Sequence, residues 1–218
     1  MPRSFFLFPT LLVLALSFSV SNCITSKVCS EQDRGCSLQA SLVSFFSTPP
    51  GIYLYGSLNS YQGNVASLGP DMFGGLRNIC SGERILAQTV NLTCANVLPF
   101  ASSDTLTLAN YAAAPNNFFL STFGPVYGAK GEIISADWNS FISVAINRSL
   151  ADSGVTSDEF WTFAASAGTY NGADNCTNGT DTGTLGTVGD PFSTVAGWYG
   201  GSTTPICSDA KKIVCICY

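Results

Sequence analysis

Alternating apolar positions predict strands at two distant places in the chain. The aromatic and aliphatic run at 52–57 predicts the first strand, and the Ile, Val and Cys run at 212–218 predicts the last. Because successive side chains of a strand point to opposite faces, Cys215 and Cys217 are expected on the same face. Two shorter strands are predicted at 159–163 and 196–198.

A first helix is predicted to begin at the Gly-Pro-Asp motif 69–71 and to run to Cys80. Proline suits the first turn of a helix, and a carboxylate suits its positive end. Met72, Leu76 and Cys80 recur at helical spacing and are expected to face the core. The glycine pair at 74–75 is expected to allow close approach to a neighbouring strand.

A second helix is predicted to begin at the Ser-Ala-Asp-Trp motif 135–138, whose polar residues suit a helix cap. Its buried stripe is predicted to be Trp138, Phe141, Ile142 and Ala145. Residues 85–130 predict short strands and ordered loops, and the Gly, Thr, Asn and Asp residues at 166–190 predict a long irregular loop. Strands and helices mixed in this way predict a small α+β domain.

The N-terminal residues 1–21 are predicted to be a secretory signal peptide. Arg3 supplies its positive charge, and an apolar run at 5–20 is followed by cleavage before Asn22. The apolar run is short for a membrane span, and no other stretch of the sequence qualifies as one. The product is therefore expected to be secreted, either free outside the cell or at its surface.

The mature chain is expected to have two parts. A cysteine-bearing segment, 22–50, carries a predicted short helix with apolar residues Leu38, Leu42, Val43 and Phe46. The Pro-Pro-Gly motif at 49–51 breaks the chain and predicts the start of a domain at 51–218.

The charge of the chain limits its partners. Only 11% of the residues are charged, and loss of the single arginine in 1–21 changes the net charge from −5 to −6. The sequence has no basic cluster beyond Lys211 and Lys212. Nucleic acid, heparin and anionic membranes need dense positive charge, so none of them is an expected partner.

Four Asn-X-Ser/Thr sequons predict N-glycosylation along a eukaryotic secretory route. The acceptor residues are Asn91, Asn147, Asn175 and Asn178. Asn175 and Asn178 are too close together for both to be modified easily.

Nine cysteines in a chain with a predicted signal peptide indicate disulfides. A zinc site is disfavoured because the chain has no histidine and Cys215-Ile-Cys217 lacks the two-residue gap of a zinc knuckle. The odd count leaves one thiol over, and Cys23 beside the cleavage point is the expected spare. Residue spacing alone does not select the pairing of the other eight.

Several short motifs together resemble one known superfamily. In chain order they are the motif at 54–60, Gly63-Asn64, Leu68-Gly69, Asp71, Cys80, the motif at 131–138, Phe141, Phe160-Trp161-Thr162, Gly168-Thr169, Asn175-Cys176-Thr177, Trp198, Cys207 and Ile213-Val214-Cys215. This order resembles the endostatin-like and C-type-lectin-like superfamily, and is closest to its secreted, uncharacterised endostatin-like domains.

The resemblance implies a fold with two helices, short antiparallel sheets, a long loop region and nested disulfides. In that family the first and last cysteines pair and the two between them pair, which implies Cys80–Cys215 and Cys176–Cys207. Cys217 is a rival partner for Cys80. The calcium motif of sugar-binding C-type lectins is missing, as are the zinc histidines and the arginine-rich heparin site of endostatin, so none of those functions transfers.

The candidate ligand-binding residues lie in and near the 166–190 loop: Tyr170, Asp174, Asn178, Asp181 and Tyr199. Asp174, Asn175, Asn178, Asp181 and Asp190 carry oxygens that suit Ca²⁺. The alternative is a solvated loop in which they form Asx turns, and no metal or other cofactor is otherwise expected.

The aromatic residues divide into two groups. Trp138, Trp161 and Trp198 would stack on sugar rings if exposed, but their apolar neighbours favour core packing. Tyr127, Tyr170 and Tyr199 lie near glycine-bearing loops and are expected at the surface, where they would suit a neutral glycan or a protein.

Catalysis is not the favoured function. Without histidine, acid–base chemistry falls to carboxylates, and the adjacent Asp158 and Glu159 of a predicted strand would point to opposite faces. We therefore expect a non-catalytic extracellular module that binds glycan or protein through its loop surface. The alternatives are a structural or cell-wall glycoprotein without a discrete ligand and, third, a carboxylate-based hydrolase.

Overall fold

The computed structural model of the protein describes residues 50–87, 89–90, 95–113, 118, 120–201 and 203–218. The predicted signal peptide and the predicted short helix around Leu42 lie outside the described residues. The same is true of the Asn91 sequon and of Cys23, Cys29, Cys36 and Cys94.

The main sheet has five strands: β1 (Ile52–Gly56), β2 (Val97–Pro99), β3 (Val126–Tyr127), β4 (Ile133–Ser135) and β7 (Val214–Cys217). Their spatial order is β2-β7-β1-β3-β4. Strands β1 and β3 are parallel, and the other neighbours are antiparallel. The sheet is therefore mixed rather than purely antiparallel, because a long crossover joins β1 to β3 and returns the chain in the same direction.

A smaller antiparallel sheet pairs β5 (Phe160–Trp161) with β6 (Val188–Gly189). The strand predicted at 159–163 therefore exists but is shorter. The strand predicted at 196–198 is wrong, since this segment forms a turn in which Trp198 N–H donates to the Val195 carbonyl. Gly197 has φ +78° in that turn, a conformation that interrupts an extended strand.

Helix α1 (Met72–Glu83) lies between β1 and β2 in the sequence. Asp71 caps it by accepting a hydrogen bond from Gly74 N–H at 2.6 Å. Met72, Leu76 and Cys80 are buried, as predicted. A Cβ on Gly75 would collide with the Val65 carbonyl. The close neighbour is therefore the 3₁₀ turn Val65–Leu68 rather than the predicted strand.

Helix α2 (Trp138–Ser143) is short, and Asp137 caps it by accepting from Ser140 N–H at 2.8 Å. Trp138, Phe141 and Ile142 are buried, as predicted. The prediction for Ala145 is wrong: the residue is exposed because the helix ends at Ser143. The remaining 3₁₀ turns are Arg84–Leu86 and Leu108–Asn110.

Both faces of the main sheet are covered by apolar groups. Leu54 and Ile216 point to one face, where they belong to the same apolar cluster as Phe100 and Trp138. Cys215 and Cys217 share the other face with residues of α1, which confirms the strand periodicity. The domain is an α+β fold with one main helix and short additional helices. In the described ranges, no helix combines the length and the apolarity needed to cross a bilayer.

Two disulfides connect the tail to earlier parts of the chain. Cys80–Cys215 joins α1 to β7, and Cys176–Cys207 joins the 166–190 segment to the tail before β7; both have Cα–Cα distances of 5.6 Å. These are the two pairs that the resemblance implies. Cys217 is also disulfide-bonded, so it does not compete for Cys80. Such cross-links are consistent with an oxidising compartment.

Candidate functional site

Residues 166–190 form an ordered segment rather than an irregular loop. Isolated bridges pair Ala164 with Tyr170 and Asn175 with Gly186, and a third pairs Leu185 with the tail. The segment also contributes β6 to the small sheet. Non-local backbone pairing therefore orders a stretch whose composition predicts a loop.

A left-handed backbone turn lies at the centre of this segment. Cys176, Thr177, Asn178 and Gly179 have φ values of 57°, 52°, 58° and 71°. Glycine adopts this conformation without cost and asparagine adopts it at little cost, whereas Cys176 and Thr177 each cost about 1–2 kcal/mol. We call residues Cys176–Gly179 the left-handed turn.

Asn175 and tight packing stabilise the left-handed turn. The side chain of Asn175 accepts from Asn178 N–H at 2.6 Å and donates to the Asn171 carbonyl at 2.9 Å. The sulfur of Cys176 packs against Gly186 and Gly63, and a Cβ on Gly63 would collide with it. The surroundings thus over-determine the strained backbone, which is the condition for such strain to persist.

The left-handed turn fixes the side-chain amide of Asn178 in one orientation. Tyr170 donates its hydroxyl to Asn178 Oδ1 at 2.9 Å, and Asn178 Nδ2 donates to Asp104 Oδ2 at 3.1 Å. Burial, and then the charge of Asp104, raise the pKa of Tyr170 to about 12, so its hydroxyl is a neutral donor at neutral pH. The amide of Asn178 is exposed but held by partners on both sides.

Asn178 lines a groove of about 500 Å³ between the left-handed turn and the start of α1. Ala66 and Pro70 supply apolar surface above the buried Met72, and polar groups come from Ser67, Asp71, Asn178 and Thr180. We call this the helix–turn groove. Its hydroxyls, carboxylate and amide around apolar surface can hydrogen-bond a hydroxyl-rich neutral molecule while contacting its C–H face.

Of the candidate ligand residues, Asn178 lines the helix–turn groove and Tyr170 supports it from beside the turn. Tyr199 was expected at the surface and is instead fully buried. Its hydroxyl donates to the carbonyls of Ile142, at 2.6 Å, and Ser166, at 3.0 Å, so the core uses the polar end of this side chain.

Of the other aromatic predictions, the one for Tyr127 is wrong and the one for the three tryptophans is confirmed. Tyr127 is also buried, against expectation, because it lies in β3 and stacks on Tyr53 with ring centroids 4.7 Å apart. The three tryptophans are buried, which confirms their assignment to the core.

Asp174 and Asp181 lie in the same segment but do not line the helix–turn groove. Asp181 accepts from Gly183 N–H at 2.8 Å, and Asp190 accepts from Phe192 N–H at 2.9 Å. These are the local bonds of Asx turns, the alternative to calcium ligation. In the part of the chain that the structure describes, no three His, Cys, Asp or Glu residues form a metal-binding group.

Asp158 and Glu159 do not lie in a strand, because β5 begins at Phe160. Asp158 is exposed in a bend, whereas Glu159 forms an ion pair with Lys211 at 2.6 Å and accepts from Thr203 at 3.3 Å. The Glu159 carboxylate is therefore held by neighbouring side chains rather than set opposite a second carboxylate.

Sequence reasoning missed Asp104, Pro70 and Thr180 as parts of the site. Asp104 lies 74 residues before its partner Asn178, so no local spacing indicates the contact. It also missed Glu83, a buried carboxylate that accepts from Leu58 N–H and from the Tyr61 hydroxyl. Glu83 thereby fixes the loop after β1, which leads toward the groove.

Among the described residues, the helix–turn groove combines a concave surface with an amide that is held in one orientation, as a binding site requires. A scan against protein-family models and a search of curated proteins found no match to this chain.

Proposed function

We propose that this protein is a secreted, non-catalytic recognition module that binds an extracellular neutral glycan in the helix–turn groove. The left-handed turn is the observation that carries the proposal. Among three consecutive non-glycine residues in the left-handed region, Cys176 and Thr177 together cost about 2–4 kcal/mol, and strain of this kind clusters at ligand sites. Within the turn, Asn178 presents an amide that two partners orient.

The chemistry of the groove favours a neutral sugar over a charged ligand. Asp71 and Asp104 would repel an anionic ligand, and none of the described residues that line the groove is a lysine or an arginine. Sugar hydroxyls can both donate to carboxylate oxygens and accept from an amide N–H. Pro70 and Ala66 offer apolar surface to the C–H face of a sugar ring, and the buried Met72 lies beneath them.

Membership of the endostatin-like and C-type-lectin-like superfamily is part of the proposal. It is supported by the mixed sheet with its main helix and by the two disulfide pairs that join the tail to α1 and to the left-handed turn. The proposed groove differs from the calcium site of that superfamily's sugar-binding members, so binding is expected to persist when calcium is chelated.

The proposal is tested with a broad neutral-glycan array and the variant Asn178→Gly. Glycine adopts the left-handed conformation without cost, so the variant keeps the turn and removes only the amide. Ser157→Ala is the matched control, because Ser157 is exposed and lines a different depression. We expect wild type and Ser157→Ala to bind the same glycans and Asn178→Gly to lose at least tenfold in affinity.

Other outcomes would redirect the proposal. Equal binding by Asn178→Gly and wild type would remove the helix–turn groove from recognition. Silence of the wild type on the glycan array, with binding on an extracellular-protein array, would replace the glycan by a protein ligand. Silence on both arrays would favour the structural glycoprotein without a discrete ligand.

A further inference from the structure

The three described sequons place their acceptor amides in very different surroundings. Asn147 is exposed just beyond α2, and its side chain forms no hydrogen bond to any described residue. Asn175 is 7% exposed and uses both ends of its amide to cap the left-handed turn. Asn178 is exposed, but Tyr170 and Asp104 engage both ends of its amide.

We infer that Asn147 carries an N-linked glycan in the folded protein and that Asn175 and Asn178 do not. In the transfer step, Asn147 Nδ2 attacks C1 of the first sugar of a lipid-pyrophosphate-linked oligosaccharide. The C1–O bond breaks as the C1–N bond forms. The lipid pyrophosphate leaves, and the amide nitrogen gives up one proton to the transferring enzyme.

Because Asn175 is buried, a chain that is glycosylated at this residue cannot reach the folded structure. Modification precedes folding in the secretory pathway, so a sugar on Asn175 Nδ2 would have to fit where the Asn171 carbonyl now lies, 2.9 Å away. The modified chain would lose the cap of the left-handed turn, and Cys176 would be displaced from its bond to Cys207. A chain glycosylated there is therefore excluded from the folded population.

The same order of events applies to Asn178. Its Nδ2 bonds to Asp104, and Asn178 lines the helix–turn groove, so a chain modified on this nitrogen would have to fold with a sugar in place of the Asp104 contact. Asn147 is not among the residues that line that groove, and its main-chain N–H instead donates to the Ile134 carbonyl in β4. Glycosylation at Asn147 thus leaves the groove accessible, and this inference holds whether or not the groove binds sugar.

The test is a peptide map of the full chain secreted from a eukaryotic host. Peptide N-glycosidase in heavy-oxygen water converts each glycosylated Asn into isotope-labelled Asp. We expect the label at Asn147 in most molecules and at neither Asn175 nor Asn178. Because the Asn178-Gly179 step deamidates spontaneously and takes up label, a parallel digest without the enzyme is subtracted. A bare Asn147, or enzyme-dependent label at Asn175 or Asn178 in disulfide-bonded protein, would overturn the inference.

Three variants separate acceptor use from folding. Asn147→Gln is expected to lose the mass of one glycan and to keep its secretion level within about twofold, since surface changes rarely alter stability. Thr177→Ala and Thr180→Ala destroy the other two sequons while keeping both asparagine amides, and neither is expected to change the glycan mass. Loss of a glycan from Thr177→Ala would contradict the assignment even if Asn175 variants fail to fold.

Discussion

The main sheet and the left-handed turn each depend on a disulfide, but they are stabilised in different ways. In the sheet, Leu54 and Ile216 continue a regular alternation that packs both faces, and Cys80–Cys215 adds to a core that local pattern already specifies. In the left-handed turn, backbone strain is opposed by one buried asparagine, two closely packed glycines and Cys176–Cys207.

This difference has a consequence for stability. Burial of apolar surface is spread over many residues of the sheet, so single changes there are partly absorbed. The left-handed turn relies on a few contacts that oppose about 2–4 kcal/mol of unfavourable backbone conformation. Recognition surfaces are often built from such locally strained segments on a rigid scaffold.

The largest expected effect is removal of a disulfide. The chain-entropy model gives about 5 kcal/mol for the 135-residue separation of Cys80–Cys215 and about 4 kcal/mol for the 31-residue separation of Cys176–Cys207. Paired Cys→Ala variants are compared by denaturant unfolding. We expect loss of Cys176–Cys207 to cost slightly less stability but to abolish groove binding; a folded Cys176→Ala/Cys207→Ala variant with full binding would contradict this.

Gly63→Ala is expected to destabilise the protein by about 1–3 kcal/mol. The added Cβ would collide with the Cys176 sulfur, so the packing of the left-handed turn must shift. Gly82→Ala is the matched control, because a Cβ there meets nothing within 4 Å inside α1 and should stabilise by about 0.5–1 kcal/mol. Thermal unfolding should therefore show a melting temperature below that of wild type for Gly63→Ala and above it for Gly82→Ala. A Gly63→Ala variant as stable as wild type would contradict the tight packing of the left-handed turn.

Asp137→Ala is expected to cost about 1 kcal/mol by removing the cap of α2. Hydrogen bonds from the main chain and then the hydroxyl of Ser140 lower the pKa of Asp137. Its folded pKa is below the unfolded value, so the charge contributes stability above about pH 4 and the contribution is lost as pH falls through the folded pKa. Asp137→Asn keeps a capping oxygen, and its stability difference from wild type should shrink in acid; an unchanged difference would refute the linkage.

Tyr170→Phe is expected to have the smallest effect, below about 1 kcal/mol, because it removes one hydrogen bond at a half-exposed site. Since the folded pKa of about 12 exceeds the ordinary tyrosine pKa of 10.0, the tyrosine contributes stability below pH 10 that is lost as pH rises toward 12. Wild type should therefore lose stability more steeply than Tyr170→Phe over that interval. Parallel unfolding curves from pH 10 to 12 would contradict the assigned burial of this hydroxyl.

Local pattern predicted the parts of the fold that depend on short-range periodicity. The strands at both ends of the domain, the buried face of α1 and the core tryptophans follow from alternation, helical spacing and apolar neighbours. Ala145 was mispredicted because helical spacing continues in sequence beyond Ser143, where the backbone becomes extended.

The candidate site was predicted less well because it is assembled from distant parts of the chain. Asn178 could be found from composition, since Asn-rich loops carry exposed amides. Tyr199 has the same glycine-rich surroundings, yet its hydroxyl bonds to a carbonyl 57 residues away in α2 and draws the ring into the core. The meeting of Asp104, Asn178 and the start of α1 likewise depends on tertiary packing, which spacing does not encode.

The most direct test is a nuclear magnetic resonance titration of isotope-labelled protein with a panel of neutral oligosaccharides. Saturable shifts are predicted for the side-chain amide of Asn178 and the main-chain amides of Met72 and Thr180, with none at the exposed Phe192. Shifts that map around Phe192, or no shift at Asn178 with a sugar that demonstrably binds, would contradict recognition by the helix–turn groove.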